Sequence, residues 1–411
     1  MNRINHNNRK LSKFKFFPSF SIGGFGDLLR KDFRFKNGLT CRFYADDFPE
    51  KFRHNEFLIS GGALYKGHPD ARSEMGLSDT NFVMGDSGGF QFATGAMKWK
   101  PEHKIPIFAW LEKNSDVAMN LDIPPRFKYQ GKFDECLQIS KDNYKYFADN
   151  QSSTEYLNVV HGDDEFSYKK WYDEVKQFPF QGWAIGGGSA SIRKFMSGFS
   201  VLLDGKEHLN PAVKYLHILG TARIDYFLLL LTIQKTFDEM GIDITVTTDC
   251  SSPDRGVVFG AYYVGVNLKR GTWESITFPN EKFHGAEIPV YNNLQDPTFP
   301  YCTEFDEILA KQVDFTDMKQ KTGSEGTYTC GMRIHNFMLY KDVLSRLEHL
   351  VYGHDYILKS VINNDTYELL TSVKELIRSD NPMSILTKYQ ALYSRISGTS
   401  PTKEFKAHEF F

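Results

Sequence analysis

The chain has 411 residues, enough for one large barrel with additions or for two domains. Its 49 basic and 51 acidic side chains nearly cancel, which excludes a global field for nucleic acid and leaves room only for a local basic patch. The five scattered cysteines (Cys41, Cys136, Cys250, Cys302, Cys330) exclude a disulfide framework and point to a reducing, cytoplasmic setting, and no apolar run is long enough to span a membrane.

The N-terminal residues 1–16 are basic, with Arg3, Arg9, Lys10, Lys13 and Lys15 and no acid before Asp27. They lack the apolar stretch of a signal peptide and read as a solvated tail or a nucleic-acid arm. From there, eight strand-like segments follow in order: Phe17–Ile22, Glu56–Ser60, Asn81–Gly85, Asp116–Leu121, Leu157–His161, Gly182–Gly186, Tyr215–Leu219 and Ile244–Thr248. Helix-length stretches separate most of them, among them Phe133–Asp149, Ser167–Lys176, Ile192–Leu203 and Tyr226–Met240. Strands alternating with helices imply a parallel sheet, and eight of them imply an α/β fold of the (β/α)8 TIM-barrel type over residues 17–352. A loop-rich insertion at about 280–334, carrying Pro289, Pro297 and Pro300, precedes the last barrel helix. Helical periodicity returns at His335, and residues 353–411 read as a helical C-terminal extension without chemical signal.

In such a barrel the reactive groups sit where strands end. Several segments do end in a polar residue or glycine: Ser60-Gly61, Gly85-Asp86, Leu121-Asp122, His161-Gly162, Gly186-Gly187, Leu219-Gly220 and Thr248-Asp249. Glycine and aspartate also mark turns, but a whole ring of such ends favours a site. Asp86 and Asp249 stand out because each follows an apolar or β-branched run. A desolvated carboxylate is costly unless paired or put to use. Two of them suit glycosyl chemistry, one attacking the anomeric carbon and one moving protons.

Gly85-Asp86-Ser87-Gly88-Gly89-Phe90-Gln91 resembles the signature of the tRNA-guanine transglycosylases. Further resemblances follow in that family's order: Asn114-Ser115-Asp116 through Leu121-Asp122, Val159-Val160-His161-Gly162, Ala184-Ile185-Gly186-Gly187, Leu219-Gly220, Asp249-Cys250 and Ile334-His335-Asn336. The resemblance spans roughly residues 55–350 and implies a pentosyltransferase. Asp249 would be the nucleophile at C1′ and Asp86 the general acid/base. Asp122 would bind the Watson–Crick edge of a guanine-like base, Gly186 and Gly187 would offer backbone N–H groups to its carbonyl, and Phe90 would stack on the ring. Ser87, His161, Leu219 and Gly220 complete the implied base site. No cofactor is needed for that chemistry.

Three departures refine the resemblance. The family's zinc site, Cys-x-Cys-x-x-Cys with a histidine, is reduced here to Cys302, with Cys330 and His335 as substitutes that also read as ordinary buried residues, so structural zinc is not expected. The family's arginine-rich loop after the nucleophile is shortened to Pro253-Asp254-Arg255-Gly256, which weakens the case for tRNA. Other cations that could meet a phosphate backbone are Lys98, Lys100, Lys269 and Arg270, or these line a solvated face. Finally, the family's glutamine is His161, able either to hydrogen-bond a base carbonyl or to serve as a structural histidine.

Together the departures resemble the DNA-guanine transglycosylase branch found in phages and bacterial genomic islands. That resemblance implies DNA as polymer, a 7-deazaguanine as co-substrate and a bacterial or phage-infected cell as setting. Gly188-Ser189-Ala190-Ser191-Ile192 lacks the glutamate that suits an aminomethyl group, which leans toward the nitrile-bearing base preQ0. The alternatives are exchange on tRNA, or a non-catalytic nucleic-acid-binding subunit; a homodimer or a helper protein remains open.

Overall fold

The structure is a computed structural model describing residues 13–20, 25–35, 38–259, 261–277 and 327–398. It is a (β/α)8 TIM barrel with additional C-terminal helices. The strands are β1 (Lys15–Pro18), β2 (Glu56–Ser60), β3 (Phe82–Asp86), β4 (Val117–Met119), β5 (Glu155–His161), β6 (Gly182–Gly186), β7 (Tyr215–Ile218) and β8 (Thr245–Cys250). All eight expected segments are present, and their hydrogen-bonded order is β1-β8-β7-β6-β5-β4-β3-β2, parallel throughout. A parallel bridge between Ser19 and Leu58 brings β1 back to β2 and nearly closes the ring.

The strands are apolar because parallel barrel strands are covered on both faces. Every residue of β6 is buried, as are Val117, Ala118 and Met119 of β4. Helices Phe133–Asn150, Glu165–Val175, Ile192–Asp204 and Ile224–Met240 form much of the outer ring, close to their expected bounds. The helix Glu165–Val175 starts at a capping box in which Asp164 and Ser167 satisfy each other's backbone N–H.

Beyond β8 the chain makes an antiparallel hairpin that the sequence reading did not separate from its surroundings: β9 (Ala261–Asn267) and β10 (Thr272–Thr277). The helix Thr327–Tyr352 then returns to the barrel. Its Phe337 packs on Phe43 at 4.5 Å, and its Tyr340 stacks on Trp273 of the hairpin at 3.8 Å, so one helix ties both to the core. The helix Asn364–Arg378 packs on Ile224–Met240, and Pro382–Lys388 and Gln390–Gly398 pack on Ile192–Asp204. No helix among the described residues is long and apolar enough to cross a membrane.

Candidate active site

Strand register, more than sequence proximity, assembles the site. Ser60 of β2 pairs with Asp86 of β3. The Ser60 hydroxyl accordingly donates to Asp86 Oδ2 at 2.7 Å, while Gln91 Nε2 donates to Ser60 Oγ at 3.3 Å. The Gly88 N–H donates to Asp86 Oδ1 at 3.2 Å. That turn needs glycine: Gly88 has φ +88°, and a Cβ on Gly62 would meet the Gly88 Cα. Burial pushes the Asp86 carboxyl up to about 6, and the neighbouring Asp249 and Asp122 charges push the same way. The hydrogen bonds from Ser60 and Gly88 offset only part of that rise.

Asp249 lies near the end of β8. Its Oδ1 accepts the Gly220 N–H at 2.7 Å and faces His217 Nε2 at 3.3 Å. His217 pairs in register with Thr247, and its Nδ1 lies 2.8 Å from the Thr247 hydroxyl. Thr247 and Asp249 are two residues apart, hence on the same strand face. With the Thr247 O–H donating to Nδ1, the fully buried His217 presents an Nε2–H to Asp249. One carboxylate oxygen is thus anchored twice. Oδ2 has no hydrogen bond among the described residues, and the side chain keeps 13% exposure, which suits a nucleophile. The adjacent Cys250 is no competitor, because burial pushes its thiol well up and away from the thiolate.

The third carboxylate, Asp122, lies three residues beyond β4. The helix Phe133–Asn150 fixes this stretch: Asn143 Nδ2 donates to the Leu121 carbonyl at 3.0 Å, and the Ile123 N–H donates to Ser140 Oγ at 3.0 Å. Asp122 Oδ2 meets His161 Nε2 at 2.6 Å, and both side chains are buried. The His161 ring is held on Asp122 and lies edge-on to Trp171 at 5.0 Å. His161 pairs in register with Gly186, and its ring fills the space that a Cβ on Gly186 would need. Gly187, at φ +78°, is covered in the same way by the guanidinium of Arg126. Ser87 is buried, its hydroxyl donating to the Asn120 carbonyl at 2.9 Å.

Asp86, Asp122, Asp249, His161, Gly186, Gly187, Ser87, Leu219, Gly220 and Phe90 therefore all lie on or just after strand C-terminal ends. Phe90, on helix Gly89–Thr94, is 54% exposed and sits edge-on to Phe127 at 5.6 Å. The cations divide. Lys98 and Lys100 lie in the loop after that helix, with Lys100 3.6 Å from Glu102. Arg255 is exposed on helix Ser252–Val258, just past the nucleophile candidate. Lys269 and Arg270 instead form the β9–β10 turn: Lys269 Nζ donates to the Ile362 carbonyl at 2.8 Å, and the Arg270 N–H donates to Asn267 Oδ1 at 3.1 Å. Their local role is to shape the hairpin and tie it to the C-terminal helices.

Cys302 lies outside the described residues. Cys330 is buried beside Cys41, and His335 Nε2 faces the Tyr263 carbonyl at 2.8 Å. Among the described residues no group of three or more His, Cys, Asp or Glu side chains could hold a metal ion. Sequence reasoning gave Ser60 only as a strand end, without a role, and missed His217, Arg126 and Phe127. Ser60 and His217 could have been placed by pairing neighbouring strands, since both sit in register beside a candidate residue or its partner. No family model matches this chain, and no curated protein is significantly similar to it.

Proposed function

We propose that this protein is a base-exchange transglycosylase that replaces guanine in DNA with a 7-deazaguanine by double displacement. The observation that carries the reading is the pairing of two unlike carboxylates at one barrel mouth. Asp249 has one anchored and one unpartnered oxygen, and Asp86 is held near a carboxyl pKa of about 6.

In the first displacement Asp249 Oδ2 forms a bond to C1′ as the C1′–N9 bond breaks, and the departing guanine takes the Asp86 proton. In the second, the incoming base gives its N9 proton to the Asp86 carboxylate and attacks C1′, releasing Asp249. Two inversions give net retention. A group with pKa near 6 can both give and take a proton near neutrality, as this shuttle demands. The buried Asp122–His161 pair offers acceptors and a donor suited to the N1–H, exocyclic amine and carbonyl of a guanine edge. A base read there must leave its stack.

DNA is preferred over tRNA because the segment after Asp249 offers little to a folded RNA. Pro253 and Asp254 are buried, and Asp254 is held by Arg333 at 2.6 Å, which leaves Arg255 as the exposed cation of that segment. The test is incorporation of radiolabelled guanine or preQ0 into matched DNA and tRNA, with Asp249→Asn beside the wild type. Label entering DNA only, and lost in the variant, supports the reading. Label entering tRNA only moves the substrate to tRNA. No label in either polymer favours a non-catalytic binding subunit.

A further inference from the structure

The loop after β4 carries features that the barrel does not need. Phe127 has φ +52°, a conformation that costs a bulky residue on the order of 1–3 kcal/mol and tends to persist at ligand clamps. The turn is held by backbone bonds, with the Tyr129 N–H donating to Arg126 O at 2.9 Å and the Gln130 N–H to Phe127 O at 3.1 Å. Yet the strained residue's ring is not placed in the core. Phe127 is 46% exposed and forms a T-shaped pair with Phe90, itself 54% exposed, with the ring planes 89° apart. A pair serving only packing would be covered. This one leaves both rings about half exposed beside the mouth.

The residues on either side of Phe127 are both cations. Neither Arg126 nor Lys128 has a carboxylate within ion-pair distance among the described residues, whereas Lys132 a few positions on pairs with Glu135 at 3.2 Å. The Lys128 ammonium rests against Gly95, so it borders the loop bearing Lys98. The Arg126 guanidinium rests against Gly187, and Gly89, the first residue of the Phe90 helix, abuts Asp122. The rim therefore lies directly beside the base-reading pair. Half-exposed aromatic rings flanked by unneutralised cations are the kind of surface that single-stranded nucleic acid selects, by stacking and phosphate contact.

We infer that Phe127, braced by Phe90, stacks on the base next to the exchanged nucleotide, while Arg126 and Lys128 take the phosphates that flank it. The inference rests on the DNA-exchange reading and deepens it. A nucleotide swung into the mouth leaves its neighbour without a stacking partner, and Phe127 replaces that partner.

The test uses the full chain and a DNA oligonucleotide with 2-aminopurine beside the target guanine, reading anisotropy and 2-aminopurine quenching across a salt series. Phe127→Leu should weaken binding about five- to a hundredfold and abolish the quenching. Phe127→Trp should keep both. Arg126→Gln should lower the slope of log affinity against log salt by about 1. Thermal unfolding of each variant checks that the fold is intact. Wild-type binding and exchange, with unchanged affinity, quenching and salt slope in Phe127→Leu and Arg126→Gln, would overturn the rim and leave the exchange reading standing. Wild-type binding without exchange, with the variants impaired, would keep the rim and overturn the exchange reading. Absence of DNA binding by the wild type overturns the rim.

Discussion

A partly buried, desolvated carboxylate should cost the fold stability, and Asp86 allows the cost to be measured. The rise of its carboxyl from an ordinary 3.8 to about 6 corresponds to about 3 kcal/mol of unfavourable ionisation in the folded state. The folded protein holds this proton more tightly than the unfolded chain does. The contribution is therefore harmless below the unfolded pKa near 4, grows as pH rises through the window to about 6, and is fully present above it. Asp86→Asn removes the ionisation. Its amide can accept from Ser60 or from Gly88 but not from both as the carboxylate does, a loss of about 1 kcal/mol. The variant should then be about 2 kcal/mol more stable than wild type at pH 8 and no more stable near pH 4, while losing base exchange. Urea denaturation of both proteins at pH 4, 5, 6, 7 and 8 reads the difference directly. A stability gap that stays flat with pH, or that widens toward acid, would refute the assignment of Asp86 as the desolvated proton carrier.

Four further outcomes follow from the same geometry. Single-turnover release of guanine, which needs protonated Asp86, should fall as pH rises through about 6, while attack by the incoming base should rise through the same range. His217→Phe removes one of two anchors on Asp249 Oδ1, so kcat should drop about 10- to 100-fold with KM little changed, read by steady-state exchange. Arg333→Met strands the fully buried Asp254 and should cost about 3–5 kcal/mol in urea denaturation, with Asp254→Leu in the same chain restoring much of it. Gly62→Ala forces a methyl into the Gly88 backbone and should impair exchange by moving Asp86, read by steady-state exchange.

The barrel was legible because its strands are apolar runs ending in glycine or a carboxylate, and both signals are local. β2 and β6 have the bounds that reading gives; β1 runs Lys15–Pro18 against the expected Phe17–Ile22, and the remaining strand ends shift by at most two residues, the C-terminal end of β4 among them. There the hydrogen-bonded strand stops at Met119, while the apolar pattern runs on to Leu121, which is buried and whose carbonyl accepts from Asn143 of the helix Phe133–Asn150. The hairpin was lost because β9 and β10 alternate only weakly, and its turn residues Lys269 and Arg270 read as a charged surface. His217 could not be assigned locally: within Tyr215-Leu216-His217-Ile218 it is one polar residue in a buried strand, and only its pairing with Thr247 brings it to Asp249. Arg126 belongs to a loop, where sequence distance from Gly187 carries no signal.

The two ends of the barrel treat their acids differently. At the N-terminal ends of the strands, Glu56 of β2 is met by Lys15 at 2.9 Å, Asp116 before β4 by Arg72 at 3.0 Å, and Glu155 of β5 by Lys214. Each charge there is neutralised by a lysine or arginine, as a stable fold requires. At the C-terminal ends, Asp86, Asp122 and Asp249 have no lysine or arginine within ion-pair distance among the described residues; Asp122 and Asp249 face histidines, and Asp86 faces a hydroxyl and an N–H. A nearby lysine would lower the Asp86 pKa and remove its proton at neutral pH. It would also occupy the acceptor that Asp122 offers to a base. Placing Lys at Gln91, which already reaches Ser60 beside Asp86, should therefore stabilise the protein at pH 8 and silence the proton transfer. If the mouth carries out the proposed exchange, the absence of a lysine or arginine beside these acids is what leaves them free for it.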